Sequence, residues 1–368
     1  MRIFCVGENW YGSSSRSCID AFRRLGHNAF NVDPHTFFPK LGMWTSRAAA
    51  RLLRFRLVEE FNRRILKDAE SFHPDIFVAF HGMYVERSTL QSLRRNGISL
   101  YNFFPDTSAF AFGKWLPKSL PEYDCIFYTK PFWYDDTSRR IRLKAGCLLP
   151  HGFNPMLHRP YELDARDRAE FGCDVSFIAT HSSYKENILR ELIACRPGLD
   201  FHIWGNGWIE RCKSTTLRRC IMGFPLIGDN FPKAIQAAKI NLAIMMGPRV
   251  GTSFMDLTTS RTYQIPAAGG FMLHQRNPEV LELYRENEEI ACFESAAELA
   301  EKIDYYLAHQ EEREAIARAG HARCVPAYSY DNRMAELLRW HREHLGGDAA
   351  EVNTKGVEDL TSLQKRAS

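Results

Sequence analysis

Through the first 150 residues, short apolar runs alternate with amphipathic stretches of helical period, the pattern of βαβ units around a parallel sheet. Apolar runs at 2–6, 29–32, 75–80, 99–104, 125–128 and 146–149 predict six strands, and the spacing between them predicts helices over 14–25, 46–71 and 86–96. The pattern breaks at Leu149-Pro150-His151-Gly152-Phe153-Asn154-Pro155, where prolines, a glycine and an asparagine oppose both helix and central strand. It then restarts. Strands at 174–179, 200–204, 240–244 and 271–274 alternate with helices at 184–195, 231–238, 260–268 and 278–284, and three helical patterns, 296–309, 311–324 and 328–345, close the second unit. The fold class predicted is α/β, with two Rossmann-like α/β/α domains at 1–150 and 161–327, a linker at 151–160 and a closing helix at 328–345. The polar, aperiodic tail 346–368 reads as disordered.

Length and composition agree with that division: 368 residues exceed what one core usually serves, and 45% hydrophobic with 25% charged residues excludes a disordered or fibrous chain. No apolar run approaches the ~20 residues that span a bilayer, which excludes a transmembrane helix. The start MRIFCVGENW reads as a strand rather than a signal peptide, and ten scattered cysteines without a C-x-x-C pair suit reduced thiols and no structural zinc, so a cytoplasmic location is expected. Charge is uneven. Residues 1–150 hold 22 Lys and Arg against 14 Asp and Glu (+8), while the remainder holds 26 against 30 (−4). The stretch 46–71, rich in Arg47, Arg51, Arg54, Arg56, Arg63, Arg64 and Lys67 with interleaved apolar residues, suits a helix packed on the sheet or one resting peripherally on an anionic membrane. Nucleic acid is not an expected partner, since no binding module accompanies the charge.

The most informative stretch is Ser253-Phe-Met-Asp-Leu-Thr-Thr-Ser-Arg-Thr-Tyr-Gln-Ile-Pro-Ala-Ala-Gly-Gly270. One of Thr258, Thr259 and Ser260 caps the predicted helix, whose outward N–H groups and dipole, with Arg261 beside them, suit a phosphate or diphosphate; an ordinary cap beside a surface arginine has the same pattern. In open α/β sheets ligands sit outside the carboxyl ends of the strands, which brings three loops to one crevice. These are Ala179-Thr180-His181-Ser182-Ser183-Tyr184-Lys185, Trp204-Gly205-Asn206-Gly207-Trp208, and Gly7-Glu8-Asn9-Trp10-Tyr11-Gly12-Ser13-Ser14-Ser15-Arg16. The last is not G-x-G-x-x-G, so a nicotinamide-dinucleotide reading lacks its fingerprint. His81 and Asp106 end apolar strands toward the same crevice, where each suits a general base, a hydroxyl contact or a purely structural role.

Taken in order, these segments resemble a known family. Pro150-His151-Gly152-Phe153-Asn154-Pro155 with His158-Arg159-Pro160 resembles the interdomain crossover of GT-B glycosyltransferases. Val175-Ser176-Phe177-Ile178, Arg261-Thr262-Tyr263-Gln264-Ile265-Pro266-Ala267-Ala268-Gly269-Gly270, Glu288-Glu289-Ile290 and the run from Glu312 to Gly320 resemble the CgeB-like branch of that fold, as does Pro74-Asp75-Ile76-Phe77-Val78-Ala79-Phe80-His81-Gly82. The resemblance covers roughly residues 1–345. It implies a nucleotide diphosphate sugar held mainly by the second domain and a saccharide or lipid-linked acceptor held mainly by the first, with no cofactor and no metal, the leaving diphosphate being stabilised by helix dipole and basic side chains.

On that reading the donor residues are Thr180, Lys185, Trp204, Gly205, Asn206, Thr259, Ser260, Arg261, Thr262 and Gln264, and the acceptor residues Glu8, Asn9 and Trp10. Asp106 deprotonates the acceptor if configuration inverts, with His81 holding the sugar or acceptor; retention needs no protein base in that role. Many related enzymes carry glutamate where this sequence has Gln264. A nucleotide-sugar epimerase or hydrolase of the same fold, or a catalytically inactive nucleotide-sugar-binding protein, are the competing readings.

Overall fold

The computed structural model describes residues 1–38, 47–223, 225–247 and 255–345. The start of the 253–270 segment and the tail read as disordered, 346–368, lie partly and wholly outside the described residues.

Two six-stranded, entirely parallel sheets form the two domains. The first contains β1 (Arg2–Val6), β2 (Asn28–Val32), β3 (Ile76–Phe80), β4 (Ser99–Phe104), β5 (Cys125–Tyr128) and β6 (Gly146–Leu148) in the order β2-β1-β3-β4-β5-β6. The second contains β7 (Cys173–Ile178), β8 (Phe201–Trp204), β9 (Ile221–Gly223), β10 (Ala238–Ala243), β11 (Met272–Gln275) and β12 (Ala291–Phe293) in the order β12-β11-β10-β7-β8-β9. Central strands such as β3 are buried along their whole length, which is why they read as unbroken apolar runs rather than as alternation. β9 and β12 are three-residue edge strands, too short to leave a periodic signature, and neither was anticipated.

The strand order reverses direction beside β1 in one sheet and beside β7 in the other, so the loops after those strands open onto a crevice at the switch point. The chain crosses between domains twice, and the crossings lie side by side: Phe153 N–H donates to the Tyr328 carbonyl (3.2 Å) and Tyr330 N–H to the Phe153 carbonyl (2.8 Å). A Cβ on Gly152 would stand 2.7 Å from the Tyr328 oxygen, so glycine is what lets the strands of this crossing approach.

One expectation changes here. The closing helix, Tyr330–His344, does not complete the second domain but returns to the first, where Tyr330, Met334, Leu337 and Leu338 pack with Ile3, Cys5, Ile19 and Phe22. The outer face of the first sheet carries an apolar layer that its own helix Ser14–Arg24 covers only in part, and the last helix buries the remainder.

Candidate functional site

The loops after the strands of both sheets enclose a cleft of about 450 Å³, within the usual range for a small-molecule site. Its N-terminal wall holds Glu8, Trp10, Ser13 to Ser15, His81, Asp106 and Lys130; its C-terminal wall holds Thr180, Gly205, Asn206, Asp256, Ser260, Arg261 and Gln264.

The C-terminal wall is shaped by backbone. Gly205 has φ +135°, and a Cβ there would fall 2.2 Å from the Ala179 carbonyl, so the loops after β7 and β8 can meet only through glycine. His181 N–H donates to the Asn206 carbonyl (2.9 Å), tying the two loops together. Behind them Glu186 accepts from His181 Nε2 (2.7 Å) and from the N–H groups of Lys213 (2.7 Å) and Ser214 (2.8 Å). Burial raises the Glu186 pKa, but the bonds from His181 and the two amides outweigh it and hold the group below its ordinary value.

Helix Ser260–Ala267 begins in the cleft with Thr259 at its N-cap. The Thr262 hydroxyl oxygen accepts from Thr259 N–H (3.1 Å) and lies 3.0 Å from His274 Nε2, while His274 Nδ1–H donates to the Gln275 carbonyl (2.7 Å). His274 is fully buried, and burial pushes its pKa down to about 4, so the neutral ring accepts the Thr262 proton and completes the relay. Arg261, on the first turn, lines the cleft with a buried Nε that has no hydrogen-bond partner among the described residues. Burial pushes it down to about 10, opposed by the Asp256 carboxylate nearby, which leaves a cation at neutral pH at a helix start.

The N-terminal wall carries titratable side chains instead. His81 has φ +62°, a left-handed conformation uncommon outside glycine, held by its N–H to the Phe103 carbonyl (3.0 Å) and by Asn102 Nδ2 on its own carbonyl (3.1 Å). That turn aims the imidazole at Asp106, Nε2 to Oδ2 2.7 Å. At the mouth Trp10 donates its indole N–H to Glu8 (2.8 Å) and is 45% exposed. Ser13 caps helix Ser14–Arg24, accepting from Arg16 N–H (3.1 Å). His158 is buried and His151 half-buried in the floor; desolvation, and for His151 also the Lys130 ammonium, keep both far on the neutral side, His158 pushed down to about 3.

Residues 182–339 match the family model described as "Glycosyl transferase-like". Among solved structures, sucrose-phosphate synthase from Thermosynechococcus elongatus is similar with a TM-score of 0.64 and 14% identity over 93% of this chain and 98% of that one. Anabaena HepE in complex with UDP-glucose is similar with a TM-score of 0.64 and 13% identity over 92% and 100%. UDP-GlcNAc 2-epimerase from Neisseria meningitidis is similar with a TM-score of 0.51 and 10% identity over 94% and 100%. The fold is GT-B. No curated protein matches the chain.

Within this GT-B frame the cleft brings together His81, Asp106, Glu8, Trp10, Thr180, Gly205, Asn206, Thr259, Ser260, Arg261 and Gln264. Four of the donor and acceptor residues expected there stand elsewhere, as does Trp208 of the expected loop. Lys185 is buried behind the loop, its ammonium donating to the Thr180 carbonyl (3.1 Å), so it supports that loop rather than lining the cleft. The Trp204 indole packs with Phe171 and Ala234, and Trp208 is buried with its N–H on the Ala179 carbonyl (2.7 Å), so neither indole offers a stacking face to the cleft. Thr262 points inward to its cap and to His274. Asn9 is turned outward, its N–H on Asp33 (3.3 Å) and its carbonyl receiving Arg16 (3.3 Å).

Lys130, Asp256, His151 and the Ser13 to Ser15 turn are among the lining residues not singled out for chemistry. Lys130 falls two residues past β5, the same strand-end position that picked out Asp106 after β4, and that signal was available. The basic helix Arg47–Phe72 buries Val58, Phe61 and Ile65 against the sheet and exposes Arg54, Arg56, Arg63 and Arg64, with Leu53 and Phe55; the side chains of Arg47 and Arg51 lie outside the described residues. No helix among the described residues is long and apolar enough to cross a membrane.

Proposed function

We propose that this protein is a glycosyltransferase of the CgeB-like branch that moves a hexosyl group from a uridine diphosphate sugar to an acceptor hydroxyl. The observation that carries the proposal is Arg261: a cation whose buried Nε has no hydrogen-bond partner among the described residues, on the first turn of a helix that opens into a cleft facing a His–Asp pair. The glycosyl transferase-like match over 182–339 includes that helix, and the likeness to HepE, solved in complex with UDP and with UDP-glucose, supports uridine as the base.

In this reading the diphosphate lies against Ser260, Arg261 and the first amides of the helix, with Thr180 and Asn206 toward the nucleoside or sugar and Gln264 hydrogen-bonding donor hydroxyls. Arg261 and the helix start stabilise charge as the bond from anomeric carbon to phosphate oxygen breaks, so no metal is required. The acceptor stacks on Trp10 at the mouth. Its hydroxyl proton passes to His81 rather than to Asp106, the base expected from the sequence: Asp106 accepts from Nε2–H and orients the ring, leaving Nδ1 as the base. The pair suits inversion, in which a protein base is needed opposite the leaving group. The acceptor is a glycan or glycolipid, and the exposed basic face of helix Arg47–Phe72 suits peripheral contact with an anionic membrane on the cytoplasmic side.

A thermal-shift titration with uridine, guanosine, thymidine and cytidine diphosphates, with and without magnesium, tests the donor half. A selective, magnesium-independent rise with uridine diphosphate is expected; no rise with any of the four overturns it. The likeness to the 2-epimerase favours one competing reading, turnover of the nucleotide sugar without an acceptor, and epimer or free sugar formed from donor alone would establish it. Binding without turnover across an acceptor panel would mark an inactive binding protein.

A further inference from the structure

Residues 255–259 lead into helix Ser260–Ala267 as an irregular strap held from both domains. From its own domain, Asn277 Nδ2 donates to the Leu257 carbonyl (2.9 Å) and the Thr258 hydroxyl to Glu279 (3.0 Å). From the opposite domain comes Lys130, whose ammonium lies 2.6 Å from Asp256 and also donates to the Thr258 carbonyl. The pair is buried, with the two side chains 3% and 11% exposed. A desolvated ammonium is tolerated only while both partners are in place, so this link exists only with the two domains standing as they do here.

We propose that Lys130 is a positioning residue that makes the donor-phosphate site contingent on domain closure. Its ion pair with Asp256 and its bond to the Thr258 carbonyl fix the residues before the Thr259 cap, and the helix turn that follows carries Ser260 and Arg261. When the domains part, the Lys130 contact is lost, the strap keeps only its own domain's bonds, and Ser260, Arg261 and Gln264 leave their places in the cleft. The lysine thus acts on the donor site through the strap. The Lys130 backbone is rooted beside the other half of the site, since the preceding Thr129 hydroxyl donates to the Pro105 carbonyl (2.9 Å), next to Asp106. Closure that seats the strap therefore brings the His81–Asp106 pair and the Arg261 turn into register together. A second link between domains, the Tyr11 hydroxyl on Asp229 (2.8 Å), joins the rims of the cleft without touching the strap, and supplies a control.

The phosphate half of this inference rests on the proposed function; the strap half does not, and the test separates them. Amide hydrogen exchange over 255–267 and affinity for uridine diphosphate are measured on the full chain for wild type, Lys130→Met, Lys130→Arg and Tyr11→Phe. Lys130→Met is expected to speed exchange in 256–264 while both sheets stay protected, and to weaken uridine diphosphate about tenfold, within the span usual for coupled sites. Lys130→Arg, keeping charge and donors, recovers most of both, and Tyr11→Phe leaves exchange in 256–264 at the wild-type rate. Should Lys130→Met lose protection throughout, Asp256→Asn breaks the link from the other end and decides in its place. Wild-type exchange over 256–264 in the variant, or an unchanged affinity in a protein that binds the nucleotide, overturns the proposal. If the wild type binds no nucleotide, the donor reading falls and exchange alone judges the strap.

Discussion

The two walls of the cleft solve the problem of placing charge in opposite ways. The C-terminal wall uses main chain: a helix start, two loops joined through Gly205, and one arginine on the first turn. The N-terminal wall uses two titratable side chains that meet because His81 accepts a left-handed backbone. A wall of amides and a fixed cation suits a group that is always anionic, while a His–Asp pair suits a group whose proton must move. The largest expected effect breaks this division from the N-terminal side. His81→Ala and Asp106→Asn should each lower kcat by about 10²- to 10⁴-fold, the usual worth of a general base, with uridine diphosphate affinity unchanged. The double variant should cost little more than either alone, because the pair acts as a unit. Equal losses in kcat and in donor affinity would show that the walls are not separate in function.

From the other side, Arg261→Ala should weaken uridine diphosphate about 10- to 100-fold, the worth of a charge-assisted, bidentate contact, measured by calorimetric titration. Arg261→Lys should recover only part, since an ammonium cannot grip two oxygens in a fork. A variant that bound the nucleotide normally would move the anion site away from this helix start.

The two walls also differed in how far the sequence revealed them. Strand ends are legible because buried parallel strands are unbroken apolar runs, so the polar residue that follows, His81 after β3, stands out at once. That its ring would reach Asp106 across the next strand was not legible, because the contact depends on φ at His81 rather than on spacing. The capped helix at 260 was legible from Thr259, Ser260 and the following periodicity. Which side chains of its first turn face out was not: Thr262 and Arg261 are neighbours, yet one turns to His274 and the other to the cleft. Aromatic and basic residues misled for a common reason. Trp204, at a strand end, and Lys185, at a helix start, are large and polar at one end, so both positions fit the cleft and the core equally well until packing decides. The last helix was placed correctly along the chain, but apolar period names a buried face and not its partner, and its partner is the first sheet.

Acid should sharpen the comparison with a smaller effect. His158 and His274 are buried and neutral, their pKa values pushed down to about 3 and about 4 from an unfolded value near 6.5. The unfolded chain therefore binds more protons than the folded one between these limits, so this contribution to stability is complete above about pH 6.5 and is lost as pH falls toward 4 and 3. The midpoint of thermal unfolding should drop by several degrees between pH 7 and pH 5. Protonating His274 also converts Nε2 from acceptor to donor and breaks the Thr262 relay that steadies the helix start. Uridine diphosphate affinity should accordingly fall in wild type only as pH approaches 4, where His274 takes its proton, and fall less in His274→Gln, whose amide does not titrate over this range.

The smallest effect expected lies at the mouth, where Trp10 stands 45% exposed with its N–H on Glu8. Trp10→Phe keeps an aromatic face but removes the bond that fixes its orientation, worth about 1 kcal/mol at an exposed site. The acceptor KM should therefore rise about two- to fivefold, with kcat and donor affinity at wild-type values. Trp10→Ala removes the stacking face as well and should raise the same KM further, again without touching kcat. A change in kcat with either variant would place Trp10 among the groups that set acceptor geometry at His81, and the mouth and the His–Asp pair would then belong to one continuous acceptor surface.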